Sequence, residues 1–370
     1  MRPIRSAFAA GLVSLLSTPV LADSAPEVMT SIKPVHSLVS AVMEGVSEPG
    51  LIVEGAASPH SYALKPSQAA KLSKATHVFW IGHDLEAFLE KPIETVAANA
   101  HAVELLEING LKTLEFREGG AFESHEHHED EHEDHAHEEE HKGHDDHDDH
   151  AHEKHDDHDH GEGHAEDDKG HEHDGDAHAK HEEHDHDEHD HGEHEGHDHE
   201  GLDPHIWLDP QNAIVMVRAI ADVLSADDPA HADRYAANAA KTIAALEKLT
   251  DEIAELMAPV HDKDFVVFHD AYRYFEERFG LHAAGSITIS PEMSPGADRI
   301  REIRKRVKDL GATCVFAEPQ FEPRLITVVL EGSNAKSGLI DPLGADLEDG
   351  PELYFTLIRN MAKSMHDCLS

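Results

Sequence analysis

The residues of this chain best suited to chemistry are its histidines. Of 37 in 370 residues, 26 fall between Glu123 and Glu200, in a run of His, Asp and Glu with scattered Gly, Ala and Lys. Neutral imidazole is a preferred ligand for Zn, Cu, Ni and Co, so this density points to metal. The run has almost no Leu, Ile, Val or aromatic side chains to offset the entropy of ordering a backbone. It therefore reads as a flexible, solvated, metal-collecting loop. A merely charged, solubilising linker would account for the acids but not for the histidines. Within the run, His128-Glu129-Asp130-Glu131-His132 and His137-Glu138-Glu139-Glu140-His141 spell H-E-x-x-H. On a helix that motif places two zinc ligands on one face beside a general base. No apolar periodicity holds this segment helical, and alternating His with acids generates the pattern by composition alone.

Eleven histidines lie outside the run. Three of them follow or end a predicted strand, the place where open α/β sheets bind ligands: His60 in Ala57-Ser-Pro-His-Ser-Tyr62, His205 in Asp203-Pro-His-Ile-Trp207, and His269 in Phe268-His-Asp-Ala-Tyr272. His83 also follows a strand and is a weaker candidate. His36, His77, His101, His231, His261, His282 and His366 read as surface or packed residues.

The elements that must position these side chains alternate. Predicted strands at 28–32, 51–53, 77–81 and 102–105 are interleaved with helices at 34–46, 66–74 and 85–98. A helix to about Ser225 follows the run, and a pattern free of Gly and Pro then extends from Ala230 to Ala258, a rod on the order of 45 Å long. Beyond it strands at 265–268, 286–289, 313–317 and one ending at Ile340 alternate with helices at 271–279, 297–310, 323–331 and 352–365. This rhythm predicts an α/β protein with two parallel-sheet lobes joined by a long rigid helix, a ligand cleft between them, and a disordered insertion in the first lobe. The division reads as 1–22 signal peptide, 23–226 first lobe with 123–200 inserted, 227–258 linking helix and 259–370 second lobe.

The formal net charge of −46 is uneven, because the run holds 35 acids against four lysines and leaves −15 elsewhere. Such a chain repels nucleic acid and anionic lipid and attracts cations. Arg2 and Arg5, the apolar stretch 7–16 and Val20-Leu21-Ala22 before Asp23 read as a signal peptide. No later stretch is apolar for the roughly 18 residues of a membrane span, and no cysteine near the cleavage site would carry a lipid. An exported, unanchored binding protein in the periplasm is the expectation. An oxidising compartment permits a disulfide between the only two cysteines, Cys314 and Cys368; two buried free thiols are the alternative.

Several segments carry a resemblance. His60 and Tyr62 with Leu64-Lys-Pro-Ser67, Trp80-Ile-Gly82 with Glu86-Ala-Phe88, and His205-Ile-Trp-Leu-Asp-Pro210 form its first half. Val267-Phe-His-Asp-Ala-Tyr272-Arg-Tyr-Phe275, Ala312-Thr-Cys-Val-Phe-Ala-Glu-Pro-Gln-Phe321 and Asp341-Pro-Leu-Gly344 form the second. Together they resemble the zinc-binding members of the periplasmic metal-binding proteins that serve ABC transporters, over nearly the whole mature chain. The resemblance implies Zn(II) held by His60, His205 and His269, with water or Asp341 as the fourth ligand. Three imidazoles and one oxygen make the tetrahedron zinc prefers. Manganese members carry a carboxylate where His269 stands, in keeping with the harder ion. Some zinc members have an acid just before the first ligand, where this chain has Pro59. Glu318 and Asp270 could orient imidazoles or cap helices. The implied role is capture of zinc and its delivery by a monomer to an inner-membrane ABC permease, without catalysis. A site for Mn, Ni or Co, zinc storage, and a catalytic zinc enzyme are the rivals; no Ser or Cys nucleophile motif supports the last.

Overall fold

The computed structural model describes residues 25–117, 122, 201–288, 295–321 and 324–370. The expected signal peptide at 1–22, the His-rich run at 123–200 with its two H-E-x-x-H matches, and Pro323 lie outside the described residues.

The first lobe runs β1 (Val28–Thr30), α1 (Lys33–Val42), β2 (Gly50–Leu51), α2 (Pro66–Leu72), β3 (His77–Trp80), α3 (His83–Thr95) and β4 (His101–Glu104). Its strands are all parallel, in the order β2-β1-β3-β4. Every residue of β1 and β3 is buried, as expected of parallel strands covered on both faces. Proline opens α1 and α2, where its missing N–H is not needed. In α2 the Lys65 N–H also donates to Gln68 Oε1 at 2.9 Å. After β3 the Ile81 and Gly82 N–H groups both donate to the fully buried Glu86 carboxylate, each at 3.0 Å. Burial raises the Glu86 pKa to about 7 against those bonds.

Two helices come next. Asp209 caps α4 (Pro210–Asp227) by accepting from the Gln211 N–H at 2.8 Å. The next helix, α5 (Ala232–Met257), is 26 residues long, or about 39 Å. It buries Tyr235, Ala239, Thr242, Leu246, Leu249, Ile253 and Met257 along one stripe. Rather than spanning open space, it is packed along its length against α4 and α1.

The second lobe comprises β5 (Phe265–His269), α6 (Arg273–Phe279), β6 (Ala283–Thr288), α7 (Ala297–Asp309), β7 (Cys314–Ala317), α8 (Arg324–Leu330), β8 (Lys336–Leu339) and α9 (Leu353–Leu369). Its sheet is parallel in the order β6-β5-β7-β8. Counted from the start of each lobe, both sheets have the order 2-1-3-4, so each has a switch point beside its first strand. Gly280, at φ 69°, closes α6 in the left-handed conformation that favours glycine.

One apolar core runs from Val35 and Phe79 through Trp207 and Leu246 to Phe275, Phe316 and Tyr354, joining both lobes. A smaller one, with Val266, Phe268, Ile303 and Val329, backs the outer face of the second sheet. The C-terminal helix α9 packs on α1 and α5, and Cys368 near its end is bonded to Cys314 at the start of β7 across a separation of 54 residues. Loop-closure entropy assigns such a bridge about 4 kcal/mol.

Candidate metal centre

His269 is the last residue of β5, the first strand of its sheet. His60 lies in a 3-10 turn (Pro59–Ser61) beyond the carboxyl end of β2, and His205 leads into the turn Ile206–Leu208 just before α4. The three imidazoles meet. His205 Nε2 stands 3.3 Å from His60 Nε2 and 3.4 Å from His269 Nε2, and the ring centroids are 5.3–5.8 Å apart. Three nitrogens bound to one tetrahedral zinc at about 2.05 Å stand roughly 3.3–3.4 Å from one another. The apices of this triad already have that spacing.

Two rings are held from behind. His205 Nδ1 donates to Asp203 Oδ1 at 2.7 Å, and His269 Nδ1 donates to Glu318 Oε1 at 2.7 Å. Each bond leaves the Nε2 lone pair facing the other rings, the arrangement in which a carboxylate orients a metal-binding imidazole. His205 and His269 are only 3% and 4% exposed. A strand-end residue beside an open cleft would be expected to bury little surface, but these two are buried, because Trp207, Tyr272 and Phe321 close around them.

The electrostatics follow from that burial. Desolvation, and then the neighbouring imidazoles, hold His60 and His205 well below the ordinary histidine range and so neutral. Burial opposes charge on His269 as well, but the Glu318 charge and hydrogen bond outweigh it and raise its pKa above 6.5. Burial also raises Asp203, to about 7, against the bond it accepts from the His205 N–H. A divalent cation would meet neutral or readily deprotonated nitrogens backed by two acids.

Asp341 is placed differently. Its Oδ1 accepts from Gln320 Nε2 at 2.9 Å and from the Leu343 N–H at 3.0 Å, and its Oδ2 from the Ala345 N–H at 2.5 Å. These bonds build the turn after β8, and the structure does not bring Asp341 into the group of converging ligand atoms. Three nitrogens leave a tetrahedral ion one further position, beside a pocket wall that includes Ser58, Pro59, Gln320 and Leu343. His83 is likewise apart, half-exposed and paired with Asp84. Of the two proposed orienting acids, Glu318 does hold a ring, whereas Asp270 pairs with Arg117, which also bonds both oxygens of Glu276 at 2.7 and 2.8 Å. Asp203 was missed, although its place two residues before His205 was the available signal.

The strand-like segments flanking the His-rich run are joined here. Glu115 and Leu202 form an antiparallel bridge, with the Phe116 N–H on Gly201 O and the Asp203 N–H on Leu114 O, both at 2.8 Å. Tyr274 Oη accepts from the Leu114 N–H at 3.0 Å and donates to Asp203 O at 2.8 Å.

Fold and site together define a class: a two-lobed α/β protein with three converging imidazoles, a candidate metal site, at the carboxyl ends of its sheets. The family model described as the zinc-uptake complex component A, periplasmic, matches residues 28–368, and the chain belongs to that family. It is 50% identical over 368 residues to the high-affinity zinc uptake system protein ZnuA of Brucella suis, covering 99% of this chain and 97% of that one. With the protein of the same description from Yersinia pestis it shares 33% over 355 residues, 96% of this chain and 94% of that one. Among solved structures, a crystal structure of ZnuA superposes with a TM-score of 0.65 at 21% identity, covering 94% of this chain and all of the other. A zinc-bound ZnuA lacking its residues 138–173 superposes with a TM-score of 0.62 at 21% identity, covering 94% of this chain and 98% of that chain. No helix among the described residues is long and apolar enough to cross a membrane.

Proposed function

We propose that His60, His205 and His269 are the ligands by which this protein captures Zn(II) in the periplasm and hands it to an inner-membrane ABC permease, with no chemistry performed on the ion. The observation that carries this reading is the mutual spacing of the three Nε2 atoms, 3.3 and 3.4 Å about His205, with two of the rings fixed from behind by acids. Three nitrogen donors suit zinc and disfavour manganese, which prefers oxygen. Water completes the shell better than Asp341, whose oxygens are engaged in its own turn. The His-rich run, in this reading, collects zinc at several weaker sites, because a segment that must be ordered for each chelate binds less tightly than a preformed cleft. Residues 259–370 act as the second lobe, and 227–258 as the link to the first at 23–226.

Competition titration with a chromophoric zinc chelator tests this on the whole chain, on a variant lacking 123–200, and on each with His269→Ala. Deletion should remove several weak, similar sites and keep one tight one, and His269→Ala should remove the tight one from both. Loss of the tight site on deletion, or its persistence in His269→Ala, would overturn the assignment. Repeating the titration with Mn, Ni and Co decides the metal.

A further inference from the structure

A second convergence of metal-binding groups lies at the opposite end of the first sheet. His77 and His101 are the first residues of β3 and β4 and are paired across the sheet in register, about 13 Å of strand from the carboxyl edge. His77 Nε2 lies 3.0 Å, and His101 Nδ1 2.8 Å, from one and the same atom, Oδ2 of Asp227. The two rings are 5.8 Å apart between centroids, within the range seen in the triad. Two β-strand ends held by backbone hydrogen bonds and one helix end supply the three groups, so their spacing is set by the fold.

The Thr76 hydroxyl lies 3.1 Å from Glu27 O and 2.9 Å from His77 Nδ1, so Nδ1 is engaged on the side away from Asp227 and Nε2 is the ring nitrogen that faces the carboxylate. A hydrogen bond at the far nitrogen fixes the ring's orientation, the part that acids play behind His205 and His269. Asp227 is the last residue of the 18-residue helix α4, whose carboxyl end carries partial negative charge that favours a cation.

We propose that His77, His101 and Asp227 form a second, outer metal site for a borderline divalent cation such as Zn(II). Two imidazoles and one carboxylate are a ligand set that zinc accepts, with the fourth position open to water. His77 is 5% exposed, whereas the side chains of His101 and Asp227 are 52% and 41% exposed. The ion is thus held on a buried anchor and released to solvent on its other side, which makes this site weaker and faster to exchange than the triad. It goes beyond the capture site and does not depend on it.

Zn(II) is the probe, on the full chain. Crystals grown with it should show, in an anomalous difference map at the zinc edge, a peak at about 2.0–2.2 Å from His77 Nε2, His101 Nδ1 and Asp227 Oδ2. That peak should vanish in His101→Ala and in Asp227→Asn while the triad peak remains. A map with the triad peak and nothing here, or a peak that needs a residue of a neighbouring molecule or survives both substitutions, overturns the proposal. In solution, peptide-resolved carbethoxylation should show zinc suppressing the labelling of His101 in the wild type but not in Asp227→Asn. Equal labelling of His101 with and without zinc overturns it independently of any crystal.

Discussion

The triad and the outer cluster are built from the same side chain at opposite edges of parallel sheets, and they differ in what stands behind the rings. In the triad two imidazoles lean on acids whose side chains are at most 2% exposed, so the acids orient the ligands and no ligand is spent on neutralising charge. In the outer cluster the acid, Asp227, is itself the third ligand and lies open to solvent, and a hydroxyl does the orienting. The lesson is that affinity is set as much by the groups one bond removed as by the ligands. Desolvated carboxylates behind neutral nitrogens hold a divalent ion far more strongly than the same charge screened by water.

The largest effect that would break this contrast is at His205. In a background lacking 123–200, His205→Ala should lower zinc affinity by more than the roughly 10- to 100-fold cost of losing an outer partner. It should also destabilise the metal-free protein by about 1–3 kcal/mol, because buried Asp203 loses a hydrogen-bond partner; competition titration and thermal unfolding read the two effects. If affinity fell no further than in outer-partner variants, His205 would not be a ligand. Next comes Glu318→Gln, expected to cost about 10- to 100-fold and to change proton release. Zinc needs the neutral His269 ring, whose pKa is raised by Glu318, so affinity in the wild type should climb as pH rises through that value. Glu318→Gln should release fewer protons per zinc at neutral pH, measured by calorimetry in buffers of different ionisation enthalpy; equal release would contradict the role given to Glu318.

A control of intermediate size comes from Glu86, which follows the third strand of its lobe as Glu318 follows that of the other but accepts from the Ile81 and Gly82 N–H groups instead. Its pKa is raised from 4.5 to about 7 in the fold. The associated stability is therefore full below pH 4.5 and lost as pH rises through 7. Metal-free wild type should lose on the order of 3 kcal/mol relative to Glu86→Gln over that interval, visible in denaturant midpoints at several pH values, while zinc affinity changes little. Parallel stability curves for the two proteins would sink this. The smallest effect is expected from His101→Ala, which should leave triad affinity within about twofold of wild type, since distant sites add independently. A larger drop would mean that the two clusters communicate.

The fold was legible in the sequence because most elements are short apolar runs or amphipathic stretches, several of them bounded by Pro, Gly or Asp. The predicted 77–81 corresponds to β3, 230–258 contains α5, and 51–53 meets β2 only at Leu51. Boundaries were read less well: α1 stops at Val42 rather than near 46, and β6 begins three residues before the expected Ser286. The three strand-end histidines could be picked out by position. What stands behind them was legible only in part. Glu318 could be named as one of two candidate orienting acids but not assigned to His269, since it lies 49 residues away and reaches it only through the pairing of β5 with β7, whereas Asp203 stands just two residues before the ring it holds. The outer cluster was invisible for the same reason. His77, His101 and Asp227 are brought together by strand register and the length of α4, and singly each resembles an ordinary surface or packed residue.

The bridge between Glu115 and Leu202 has a consequence for how this protein can vary over generations. Because the fold joins the segments on either side of the His-rich run, at Glu115 and Leu202, added length between them costs little. Closure entropy grows only logarithmically, so doubling the number of residues beyond the neck would cost about 0.6 kcal/mol. Tyr274 clamps Leu114 and Asp203 on the inner side of the neck, and the register of Asp203 behind His205 is set there. Insertions and deletions in the His-rich run can therefore be tolerated while His205, two residues downstream of Asp203, stays where it is.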